Sequence, residues 1–149
     1  MKLLFLFASL FFFTEEGTVK PDDVVGIWMA SSGKARFQIF KQGNEYFGKI
    51  IWLKEPNEAN GKPKLDKNNP SDQLKNKPII GLQIIHSFQF DKDEWNNGKI
   101  YDPENGKEYK CIMKLKDANT LNVRGYIGIS LLGRTETWNR VKQATIPLL

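Results

Sequence analysis

The sequence predicts an all-β protein, a single antiparallel up-and-down β-barrel of about eight strands with one long polar loop. Three observations predict it. From Val24 onward, short stretches of period-two alternation are separated by turn-forming residues at roughly 8–12-residue spacing. No segment has helical periodicity except Ser71 to Asn76, where Pro70 precedes a single turn. Finally, 149 residues suffice for one domain with a sizeable core, but hardly for covering sheet edges, which a closed barrel removes.

The chain opens on an address. Met1 and Lys2 form a minimal positive region before an apolar run from Leu3 to Phe13. As a helix that run rises about 16 Å, too short for a hydrocarbon core of roughly 30 Å. Residues 1–16 therefore read as a secretory signal peptide, and the expected location is the periplasm or the exterior. No small-x-small pair precedes Thr14, Glu15 or Glu16, so the cut is not placed and an uncleaved anchor is the alternative. The barrel domain is expected over 24–142, with a tail over 143–149.

The strands follow in order. Val24 to Ala30 is ended by Ser31, Ser32 and Gly33. Lys34 to Lys41 alternates, with Ala35, Phe37 and Ile39 on one face. Gln42, Gly43 and Asn44 turn it into Glu45 to Leu53. Leu82 to Phe90, Lys99 to Asp102, Glu108 to Leu115, Thr120 to Ile129 and Arg134 to Val141 complete the set. Asn105-Gly106 supplies the positive φ angles of a tight hairpin. The segment from Asp91 to Gly98 reads as a polar turn, because Trp95 and Asn96 stand where a calcium loop needs a ligand and a glycine. The segment from Lys54 to Pro78 is polar and rich in Pro and Asn, and so long a loop is usually functional or mobile.

Composition narrows the function classes. The net charge of +5 and pI of about 9.3 come from basic residues spread along the chain, without the polybasic footprint of a nucleic-acid binder. The single cysteine, Cys111, excludes an intramolecular disulfide and reads as a small buried hydrophobe on a strand. His86 is the only histidine, so no two-histidine metal site can form. The segment from Gly128 to Gly133 misses the G-x-S-x-G elbow by one residue, and Ser130 reads as a hairpin residue. No catalytic residue, metal or cofactor is expected.

Several strings resemble known proteins. Gly26-Ile27-Trp28 resembles the G-x-W opening of the calycin barrels, the lipocalin group. The resemblance implies that Trp28 plugs one barrel end under Arg140, from Trp138-Asn139-Arg140 on the last strand. From Val25 to Val141 the chain also resembles an uncharacterised family of secreted bacterial proteins known only as a domain of unknown function. That resemblance runs through Gly48-Lys49-Ile50, Leu65 to Pro70, Gly98 to Gly106, Val123 to Gly128 and Gly133 to Trp138. It implies secretion and a lipocalin-like barrel, with no established ligand.

The last hairpin offers candidate site residues. With its tip at Leu131 and Leu132, Gly125 faces Trp138, Ile127 faces Glu136 and Val123 faces Arg140. The face of Leu121, Val123, Ile127 and Ile129 then points inward, with Gly125 leaving room for the Trp138 ring. Glu136 and Arg140 project the same way, as structural partners or as ligand contacts. The opposite face, with Arg124, Tyr126, Thr135, Thr137 and Asn139, reads as solvated, and a one-residue slip exchanges the faces.

The leading expectation is an envelope protein binding a small apolar or amphipathic molecule in its barrel. The candidate contacts are Phe47, Trp52, Tyr101, Arg124, Tyr126, Glu136 and Trp138. An interaction module acting through the 54–78 loop on protein or glycan is the alternative, with Asp66, Asn69 and Asp102 as loop candidates. An enzyme would need Asp66 and Asp102 to converge across a pocket. Nucleic acid is not an expected partner, and the membrane is one only through the signal segment; the oligomeric state stays open.

Overall fold

Each of eight strands pairs antiparallel with the next in chain order, and the last returns to the first, closing a barrel among the described residues. The computed structural model of the chain describes residues 17–126 and 133–142. The strands are β1 (Gly26–Met29), β2 (Ala35–Gln42), β3 (Glu45–Leu53), β4 (Gln83–Asp91), β5 (Glu94–Asp102), β6 (Lys107–Asp117), β7 (Thr120–Tyr126) and β8 (Arg134–Arg140). Closure pairs Trp28 with Arg140 and Met29 with Asn139. The signal segment 1–16, the expected hairpin tip at Leu131 and Leu132 and the tail 143–149 lie outside the described residues.

Period-two alternation places the core. Phe37 and Ile39 of β2 and Tyr46 and Ile50 of β3 are buried, while their neighbours along each strand are not. Trp28, Phe88, Trp95, Met113 and Leu121 are 0% exposed and fill one half of the barrel. An aromatic of this size removes roughly 150–250 Å² from water, which at about 25 cal/mol/Å² is ~4–6 kcal/mol of transfer free energy.

That magnitude corrects the expected turn over Asp91 to Gly98. The turn is confined to Lys92 and Asp93, with Lys92 at φ 61°, and β5 begins at Glu94. Burying Trp95 outweighs the weak strand propensity of its polar neighbours, which spans only ~1 kcal/mol. Ser87 and Asn97 interrupt β4 and β5 opposite each other, both at φ 57°. The interruption lets Ile85 and Phe88, three residues apart, both enter the core. The Phe88 ring then lies so close to Gly98 that a Cβ there would sit 2.2 Å from it.

Three further differences concern the start, the long loop and the end. The chain before β1 forms a 3-10 turn over Pro21–Val24 rather than a strand from Val24. Pro21 presets its φ, and the Lys20 amide donates to Asp23 Oδ2 at 2.7 Å. The turn at Ser71 to Asn76 becomes two linked turns, Leu74 N–H to Ser71 O and Lys77 N–H to Leu74 O, both 3.0 Å. In the last hairpin Leu121 faces Trp138, Val123 faces Glu136 and Gly125 faces Arg134. In that register Arg140, which pairs with Trp28, also donates its own N–H to Asn119 O at 2.8 Å. The displacement is an even number of residues, so the faces stay as expected.

Candidate functional site

One end of the barrel is sealed. The Trp28 indole N–H donates to Val24 O at 2.9 Å, and the Arg140 guanidinium lies 4.2 Å over the Trp28 ring. Arg140 also donates to the backbone oxygens of Ala118, Val25 and Asp23. Trp95 Nε1 donates to Pro21 O at 3.0 Å, and the Tyr46 hydroxyl to Asp22 Oδ1 at 2.6 Å. The 3-10 turn is thus pinned across the base by side chains of strands β1, β3, β5 and β8. Burial, then the Asp22 bond, push the Tyr46 hydroxyl far above its ordinary range. The bonds from Tyr46 and Lys41 hold the Asp22 carboxyl below the usual carboxylate range.

At the opposite end the long loop is locked down. Asp66 is 0% exposed and accepts from the Tyr101 hydroxyl at 2.8 Å and from Asn69 Nδ2 at 2.7 Å. Asn68 Nδ2 donates to the carbonyls of Pro103 and Glu104 in the β5–β6 turn. Gly106 approaches so closely that a Cβ there would lie 2.0 Å from Asn68 O, and its φ of +72° also favours glycine. The segments Leu65 to Pro70 and Gly98 to Gly106 therefore meet in space as one latch. Burial, with Asp66 beside it, pushes the Tyr101 hydroxyl up to about 12.

Between base and loop, the inner face brings a carboxylate against buried aromatic rings. Phe37 and Trp138 stack with centroids 4.3 Å apart at 26°. Glu136, partly buried, stands two residues before Trp138 on the same face of β8 and receives the Trp138 indole N–H at 3.4 Å. Gly125 packs beside Ile100 and Tyr109, whose nearest atoms lie 3.9 and 3.7 Å from where its Cβ would be, an ordinary van der Waals spacing.

The candidate residues divide accordingly. Glu136 and Trp138 lie together on the inner face, and Tyr101 holds the latch. Phe47 does not line the barrel: it falls between the buried Tyr46 and Gly48, on the outer face, where it stacks on Phe40 at 6.1 Å. Trp52 does not either. A bulge between Arg36 and Phe37 pairs it with Arg36, whose guanidinium lies 4.8 Å over its ring. Arg124 sits opposite Thr135 and donates to its hydroxyl at 2.9 Å, on the outer face that Tyr126 shares. Of the two candidate carboxylates, Asp66 is held by Tyr101 and Asn69, and Asp102 Oδ1 accepts the Glu104 N–H at 2.9 Å within its own turn. Cys111 is buried, and that burial pushes its thiol up to about 12.

Sequence reasoning missed the partnership of Phe37 with Trp138 and the role of Tyr101 toward Asp66. Nothing local signals either, because the partners lie on distant strands.

The comparisons with known proteins agree with this geometry. The family model described as "Uncharacterized protein conserved in bacteria (DUF2147)" matches residues 26–140, from the first residue of β1 to the last of β8. The chain belongs to this family. Its DUF2147 region thus coincides with the closed barrel, latch included. Among solved structures, the chain is similar to the protein HP1028 of Helicobacter pylori, described as belonging to the lipocalin family. The two share 23% identity over 85% of this chain and 86% of that one, with a TM-score of 0.71, a likeness of fold. No curated protein matches the chain.

Proposed function

We propose that the protein is exported by residues 1–16 to the periplasm or beyond, where its barrel binds one small apolar or amphipathic molecule. Eight-stranded barrels are just wide enough either to be filled by side chains or to hold one small ligand, as in lipocalins. One observation carries the second option here. The base is closed by the 3-10 turn and fully buried aromatics, whereas farther along the inner face the partly buried Glu136 carboxylate stands beside the stacked Phe37–Trp138 pair, with Gly125 of β7 two residues along the same face from its cross-strand partner Val123. Apolar walls with a few placed polar groups are the usual makeup of a ligand site. The candidate carboxylates Asp66 and Asp102 are engaged in hydrogen bonds within the chain, which supports binding over catalysis.

Native mass spectrometry of protein purified gently from its own host tests this. A co-purifying small molecule, released on unfolding, is expected; a bare protein mass would count against the reading. Fractionation of the host with and without residues 1–16 tests export.

A second reading, docking of an envelope protein or glycan on the 54–78 loop, is favoured by Leu74, an apolar side chain 43% exposed on that loop. Leu74→Ser should abolish such docking and leave a barrel ligand in place.

A further inference from the structure

We infer that the inner face of the barrel selects a ligand bearing a positively charged, hydrogen-bond-donating group, held by the Glu136 carboxylate while its apolar part lies along the partly buried Ile100, Tyr109 and Gly125. The inference rests on the binding reading above and names the ligand class.

Glu136 is an anion on the inner face of a barrel. It faces the buried Val123 across the β7–β8 pair and shares a side of β8 with the buried Trp138. Its hydrogen bond among the described residues is the long 3.4 Å contact from Trp138. It takes part in none of the ion pairs among them.

The contrast with Arg140, the other charge on that face, is direct. Arg140 is satisfied by three carbonyls and an aromatic ring, so its position is structural. A carboxylate on an inner face that accepts one long hydrogen bond keeps acceptor capacity for a further donor. The remaining sequence offers few: residues 127–132 and 143–149 contain no Lys or Arg, and residues 1–16 contain only Lys2. Arg134, exposed and opposite Gly125, forms no ion pair with Glu136, and Arg36 is engaged with Trp52. A ligand ammonium supplies both the missing charge and the missing donors.

Titration calorimetry of the full chain with decylammonium, decanol and decanoate, below their aggregation limits, tests this. The three probes share a tail and differ in head charge. Decylammonium should bind at least about tenfold tighter than decanol, and decanoate weakest, because a charge-assisted hydrogen bond is stronger than a neutral one and like charges repel. Glu136→Gln should bring decylammonium to within about threefold of decanol and leave decanol unchanged, with the near-ultraviolet circular dichroism retained. Equal binding of decylammonium and decanol by the native chain, or a preference that survives Glu136→Gln, overturns the cation selectivity while the apolar-binding reading stands. Failure of all three to bind overturns both. The comparison of probes on the native chain decides the point even where the variant does not fold.

Discussion

The Arg140 guanidinium lies 4.2 Å over the Trp28 ring and joins the last strand to the first. Through its three carbonyl bonds it also holds the β6–β7 turn and both residues that flank the end of the 3-10 plug. Sealing the base thus depends on one side chain that touches the chain at four places. Arg140→Met keeps the stem and removes the fork. It should lower stability by roughly 2–3 kcal/mol, read as a shift in urea midpoint. Arg140→Lys should recover little, because an ammonium cannot serve three divergent carbonyls and stack on the ring at once.

The latch makes a second, independent prediction. Tyr101→Phe leaves the fully buried Asp66 without its hydroxyl donor and should cost roughly 1–3 kcal/mol. The loss is local, so hydrogen exchange should accelerate mainly over residues 62–78 while the strands stay protected. Gly106→Ala should loosen the same segment by pushing on Asn68 O. Exchange that rises uniformly through the barrel would refute a local latch.

Inside the barrel, Gly98 makes room for a ring. A Cβ at Gly98 would stand 2.2 Å from Phe88, whose side chain is 0% exposed and has nowhere to go. Gly98→Ala should destabilise by about 1–3 kcal/mol, and a Gly98→Ala, Phe88→Leu double variant should be less impaired than the sum of the two single changes. Thermal unfolding of the four proteins measures the coupling.

Acid should act through the base. The Asp22 carboxyl has its pKa lowered from 3.8 in the folded chain, first by the Tyr46 hydroxyl and then by Lys41. A carboxyl depressed on folding contributes stability above its unfolded value and loses it as pH falls through the folded one. Melting temperature should therefore hold from neutrality to about pH 4 and fall below it, more steeply in the native protein than in Tyr46→Phe.

Cys111 should be inert. Its thiol is pushed up to about 12 by burial, so the thiolate that reacts with disulfide reagents is scarce at neutral pH. Labelling with a chromogenic disulfide should be slow in the native protein and complete on unfolding. Rapid native labelling would mean that the barrel interior opens readily.

Much of this architecture was legible residue by residue. The bounds of β3 follow from alternation between two turn signals, and the closure by Trp28 and Arg140 follows from a family resemblance with a physical basis. Phe47 and Trp52 illustrate the opposite case. Both are aromatic and on a strand, as a ligand wall requires, yet alternation puts Phe47 outside and a single bulge takes Trp52 with it. The bulge leaves no mark in the local sequence. The register of the last hairpin was hidden in the same way, because alternation along each strand gives its faces and not its cross-strand partners.

The sequence by itself determined an all-β chain and its strand count, because period-two burial and turn chemistry act over a few neighbouring positions; the plug of Trp28 and Arg140 came from what the family resemblance implies. Only the tertiary structure decided which aromatics face inward, that Asp66 belongs to a latch, and that the inward Glu136 stands there without a cation among the described residues. Those outcomes rest on contacts between residues dozens of positions apart, where register, bulges and closure choose the partners.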